Sequence, residues 1–149
     1  MIRTAVIATA AIGVVALGGT ASAQVRDATY RGTLVCGNVP FIRSFARSAI
    51  EVSIAGNSAK YTHAVIISGK GVVGTETGTG TVDDSKINLK GSWKDDKYEY
   101  SATYSGSFVR RSAKLAGVQT WTVGSKTYTR DCTGAIKRPL AVFLRKKKA

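Results

Sequence analysis

The residues able to do chemistry in this chain are few. Among 149 residues there are one histidine, two cysteines and nine acids. His63 alternates with Tyr61, Val65 and Ile67. A lone imidazole in that phase reads as a packed or surface residue, not as a general base. The acids are scattered and lie mostly in turns, and the adjacent pair Asp95 and Asp96 is expected to point apart. No G-x-S-x-G elbow, P-loop or H-E-x-x-H motif occurs. Two cysteines and one histidine also make a poor zinc set with no ligand spacing. The expectation is a non-enzymatic protein with no catalytic residue, metal ligand or cofactor.

Polar residues in apolar phase are the stronger lead. Gln119 and Arg130 fall on the faces that carry Trp121 and Cys132. Glu76 falls on the face of Val72, Gly74 and Val82. If these faces point inward, Arg130 and Glu76 are buried charges and have to be paired. With Gln119, Tyr98, Tyr100 and Tyr104 they are then expected to line a small polar cavity holding a small or acidic ligand. The alternatives are a purely structural network, or an arginine reaching out at a rim.

The elements that position these residues are strands. No long stripe of period 3.6 follows Gln24, whereas alternation of period two recurs. Over Lys97–Phe108 the tyrosines Tyr98, Tyr100 and Tyr104 share a face with Ala102, Gly106 and Phe108, and polar residues fill the other. Similar patterns predict strands over Tyr30–Cys36, Ser48–Ala55, Lys60–Ile67, Val72–Val82, Lys86–Lys94, Leu115–Val123 and Tyr128–Ile136. Gly56-Asn57-Ser58, Ser68-Gly69, Asp83-Asp84, Asp95-Asp96 and Gly124-Ser125 read as turns. About eight strands joined mainly by short turns predict an all-β, antiparallel up-and-down barrel or a sandwich. Glycines on the apolar faces, such as Gly91 and Gly117, suit the sharp bending that closure needs.

The N-terminus reads as an export leader. Arg3 precedes an uncharged run from Ala5 to Leu17, and Ala21-Ser22-Ala23 is an A-x-A cleavage signal before Gln24. The run is too short to span a bilayer. The expected divisions are a signal peptide over 1–23, a barrel over 24–139 and a basic tail over 140–149. No membrane segment is expected after signal removal, and the destination is the periplasm or the outside. In an oxidising compartment Cys36 and Cys132 are expected to form a disulfide. That bond would tie the first strand to the last, and neighbouring first and last strands favour a closed barrel over an open meander.

The formal charge of the chain is +13. Lys86, Lys90 and Lys94 share the wet face of one strand. In the tail, Leu140–Leu144 precedes Arg145, Lys146, Lys147 and Lys148. Such a tail suits an anionic envelope component, lipid or polymer, and no sequence-specific nucleic acid. The plain alternative is a solvated tail.

Three segments carry a resemblance: Tyr30-Arg31-Gly32-Thr33-Leu34-Val35-Cys36, Leu115-Ala116-Gly117-Val118-Gln119-Thr120-Trp121 and Tyr128-Thr129-Arg130-Asp131-Cys132-Thr133-Gly134. Through them the chain resembles small uncharacterised exported proteins of Gram-negative bacteria, a group that implies no activity. It is similar to lipocalin and avidin barrels in architecture alone. The lipocalin G-x-W of the first strand is absent, since Gly91-Ser92-Trp93 lies mid-chain. Two functions remain: a module binding a small or acidic ligand, and an envelope-associated protein using its basic surface.

Overall fold

Side-chain alternation organises eight antiparallel strands: β1 Ala28–Cys36, β2 Arg47–Ala55, β3 Ser58–Ile67, β4 Gly71–Asp83, β5 Lys86–Lys94, β6 Glu99–Val109, β7 Ser112–Val123 and β8 Lys126–Lys137. The computed structural model describes Val25 and residues 27–42 and 47–140. The expected leader over 1–23 and the tail cations Arg145, Lys146, Lys147 and Lys148 lie outside the described residues. Each strand pairs with the next, and β8 returns to pair with β1, so the sheet closes into a barrel with no free edge. No helix among the described residues is long and apolar enough to cross a membrane.

The turns follow from local chemistry. Gly56-Asn57, Asp84-Ser85, Arg110-Arg111 and Gly124-Ser125 each join two strands with a two-residue loop. The first residue of each has a positive φ, between 51° at Asp84 and 60° at Gly124. That geometry suits hairpin turns whose twist matches the flanking strands. Asp95 ends β5 differently. Its Oδ1 accepts from the backbone N–H of Lys97 at 2.8 Å and of Tyr98 at 2.6 Å. Those two amides are thereby kept out of the sheet, so β6 begins at Glu99 instead of at the predicted Lys97.

A second departure lies in β4. Opposite Val65 and Ile66 the register slips, with Val65 facing Gly74 and Ile66 facing Val72. Val73 is the extra residue of a β-bulge. The slip turns Val72 outward, where it is 65% exposed, and lets Val73 pack on the core. Gly74, Glu76 and Val82 keep the expected inward face, but Val72 does not share it.

The interior has layers. At the floor, where β2, β4 and β6 end, Tyr30 packs edge-on against Phe108 among Ile54, Val82, Ile87 and Ile136. The middle is polar. At the opposite end, the mouth, Phe41 from the β1–β2 connection reaches Tyr98, Trp121 and Tyr128 with ring centroids 5.0, 5.3 and 5.8 Å away. Val39 and Ile42 of that connection are buried beside it. Cys36 and Cys132 face each other in register and form the disulfide across the β1–β8 seam, closing a sequence separation of 96. In the chain-entropy view a loop of that length is worth ~4–5 kcal/mol.

Candidate functional site: a buried carboxylate cluster and a cation at the mouth

Sheet register decides which polar side chains meet. Tyr61, Gly78, Gly91, Ala102, Gln119 and Arg130 form one continuous row across six strands. The middle of this row is nearly without side chains. A Cβ on either Gly78 or Gly91 would collide with the Tyr61 ring or hydroxyl. Glycine is required there because Tyr61 lies flat across both positions, which aims its hydroxyl at Glu76. Gln119 and Arg130 are adjacent partners at the far end of the row.

Glu76 is fully buried and collects donors from four side chains. Tyr61 donates to Oε1. At Oε2 it accepts from Tyr100 at 2.7 Å, from Tyr104 at 3.2 Å and from His63 Nδ1 at 2.8 Å. A carboxylate only accepts, so the shared hydrogen sits on Nδ1. That leaves Nε2 to accept from the Ser48 hydroxyl 2.5 Å away. Burial, and next the charge of Glu76, push the hydroxyls of Tyr61, Tyr100 and Tyr104 well above the ordinary tyrosine range. All three are therefore held as neutral donors. A carboxylate so completely hydrogen-bonded is stable in a dry interior, where a bare one is not.

Ser48, His63 and Glu76 stand in the order hydroxyl, imidazole, carboxylate, an arrangement that activates a nucleophile when substrate can reach it. Here Ser48 is 5% exposed, His63 is 2% exposed, and the carboxylate already serves three tyrosines. The relay fixes the imidazole tautomer and ties β2, β3 and β4 together.

Arg130 does not pair with Glu76, contrary to the sequence expectation. The basic side chain that meets the acid is His63, whose Nδ1 donates to it at 2.8 Å. Arg130 instead donates from Nε to Gln119 Oε1 at 2.8 Å. Gln119 donates from Nε2 to the Tyr104 hydroxyl at 2.8 Å, and Tyr104 donates onward to Glu76. The two charges are thus joined by a relay through neutral groups. The register explains this: Arg130 shares a row with Tyr61, while Glu76 faces His63 two residues along the strand from Gly78 and Tyr61 toward the bulge. The Arg130 guanidinium lies 5.1 Å over the Trp121 ring and reaches the Gly37 carbonyl at 3.4 Å. It is 8% exposed, and no carboxylate among the described residues forms an ion pair with it. Burial pulls its pKa down, opposed by the nearby tyrosines and by Glu76.

Of the residues singled out from sequence, Glu76, Tyr100, Tyr104, Gln119 and Arg130 come together in one hydrogen-bonded chain. Tyr98 does not join it. Asp95 anchors its backbone, and its ring packs against Phe41 and Trp121 in the mouth with Lys97 5.2 Å from the ring centroid. Ser48 and Tyr61 are members that sequence reasoning passed over, and His63, read from sequence as a packed or surface residue, is a third. Their signal was phase: Tyr61 and His63 alternate with Val65 and Ile67, and Ser48 with Ile50. Comparison with protein-family models, with curated proteins and with solved structures finds no match to this chain.

Proposed function

We propose that this barrel is an exported, non-enzymatic binding module whose mouth holds a small anionic ligand against Arg130. One observation carries the reading. Arg130 is a cation more than nine-tenths buried, and among the described residues no carboxylate pairs with it. Burying a charge is costly unless an opposite charge or strong hydrogen bonds offset the lost hydration. Glu76 has that support in full, and Arg130 has a glutamine and a long contact to a carbonyl. A carboxylate or phosphate docking at the guanidinium supplies the missing partner, with two parallel hydrogen bonds available to a planar fork.

The surroundings fit a ligand with a flat apolar part. Trp121 lies beneath the guanidinium, and Tyr98 and Tyr128 stand around Phe41 beside it. Export is supported by the leader-like N-terminus and by the disulfide, since such bonds persist in oxidising compartments. The test is a titration followed by tryptophan fluorescence, using a panel of small aromatic carboxylates and phosphate monoesters. Binding by the native protein and its loss in Arg130→Ala, with an unchanged circular dichroism spectrum, is the expected result. Equal binding by both proteins would reject the reading.

A further inference from the structure

The outer surface has a composition independent of the mouth. Register lines up three rows across β3, β4, β5 and β6. The first is Thr62, Thr77, Ser92 and Ser101. The second is Lys60, Thr79, Lys90 and Thr103. The third is Ser58, Thr81, Asn88 and Ser105. All twelve side chains are exposed. The patch contains hydroxyls, one amide and two ammonium groups, with no carboxylate, aromatic or aliphatic side chain. Of the acids at its edges, Glu51 is engaged by Arg31 at 2.6 Å and Glu99 by Lys94 at 3.3 Å, while Asp83 lies opposite Lys86 beyond the third row. Lys60 and Lys90 form no ion pair with any of the described residues. The second row continues around the barrel as Val118 and Asp131 and the third as Ala116 and Thr133, whereas the first continues as Thr120 and Thr129, so it is the lysine-bearing row and not the hydroxyls that ends at β6.

We propose that this face of β3–β6 is a docking surface for an acidic polysaccharide. The composition discriminates among polyanions. A lipid surface needs apolar side chains to enter the headgroup boundary, and the three rows carry none, the exposed Val72 lying beyond the first row. Single-stranded nucleic acid is held by aromatic platforms as well as by charge, and this face has none of those. An acidic glycan presents hydroxyls and anionic groups together. The serine and threonine hydroxyls and Asn88 both donate and accept toward sugar hydroxyls. Lys60 and Lys90 lie two strands apart, about 9–10 Å in the sheet. They meet anionic groups on either side of Thr79.

The experiment uses the full chain with dextran sulfate as probe, at low ionic strength because exposed charges are screened by salt. Neutral dextran, phosphatidylglycerol vesicles and oligo-dT serve as comparisons. Dextran sulfate is expected to bind more tightly than the other three. The pair K60Q/K90Q is expected to weaken binding about tenfold, equivalent to about 1.4 kcal/mol. T79V/T103V leaves charge and shape in place and removes two hydroxyls, and it is expected to weaken binding about threefold, a change the handling of one good polar contact allows. K114Q/K137Q removes the same charge from the far side, where both lysines are exposed. It is expected to change binding less than twofold, as surface charge remote from the contact should. An equal loss in K60Q/K90Q and K114Q/K137Q would reduce the effect to net charge and overturn the proposal. Vesicles or oligo-dT binding as tightly as dextran sulfate would also overturn it. Arg130 takes no part in these contacts, so failure at this face and failure at the mouth are separate results.

Discussion

Glu76 and Arg130 are both buried charges inside the same barrel, yet their surroundings differ in kind. Glu76 sits in mid-barrel and receives hydrogen bonds from three tyrosines and a histidine drawn from β3 and β6. Arg130 sits at the mouth with one side-chain acceptor and one distant carbonyl. The first arrangement is what a fold needs to hold a charge in a dry place. The second leaves a charge less supported than stability alone would select. The difference teaches that burial by itself does not mark a functional residue. What separates the two is whether the protein's own groups complete the site.

The contrast can be broken or sharpened at several points. The largest effect is expected from the boundary that holds the mouth together. Cys36→Ala with Cys132→Ala opens the β1–β8 seam and is expected to lower unfolding free energy by about 4–5 kcal/mol in urea titrations. Reduction of the native protein should have the same effect. Next, Glu76→Ala strands three tyrosine hydroxyls and an imidazole in the interior. A loss of about 3–5 kcal/mol is expected, as for other buried charges deprived of a partner. A loss below 1 kcal/mol would mean that the cluster does not hold the fold. Gly91→Ala pushes the Tyr61 hydroxyl off Glu76 and is expected to cost about 1–3 kcal/mol, read as a lower melting temperature.

Alkaline pH tests the same cluster without mutation. The hydroxyls of Tyr61, Tyr100 and Tyr104 titrate above their unfolded value of about 10. The unfolded chain then releases protons before the folded one does. Stability from these groups is complete below about pH 10 and falls as pH rises beyond it. Spectroscopic titration should show Tyr61, Tyr100 and Tyr104 ionising only as the near-ultraviolet signal of the fold is lost. Ionisation of these three in the intact fold would contradict the buried cluster.

Much of the architecture was legible because strand alternation is a local property. Eight strands, their inward faces and the Cys36–Cys132 closure follow from period two and from the positions of two cysteines. Alternation assigns a side chain to a face but not to a row. Rows depend on strand stagger, which no local segment encodes. For that reason Arg130 and Glu76 were both placed inward and wrongly expected to touch. His63 was visible in apolar phase, but its partner Glu76 lies on a neighbouring strand and is found only through register. Val72 escaped because a bulge adds one residue and inverts the phase beyond it. Tyr98 escaped because Asp95 holds its amide in a turn. What Arg130 meets outside the chain has no trace in periodicity at all.

The most direct measurement is the unfolding free energy of Arg130→Met against the native protein, each in ligand-free buffer. Methionine keeps the apolar stem over Trp121 and removes the charge and the Gln119 contact. If the guanidinium serves a ligand and not the fold, the two proteins should agree within about 1 kcal/mol, or the variant should be the more stable. A loss of about 3–5 kcal/mol, matching Glu76→Ala, would make Arg130 one more structural member of the interior and contradict the account.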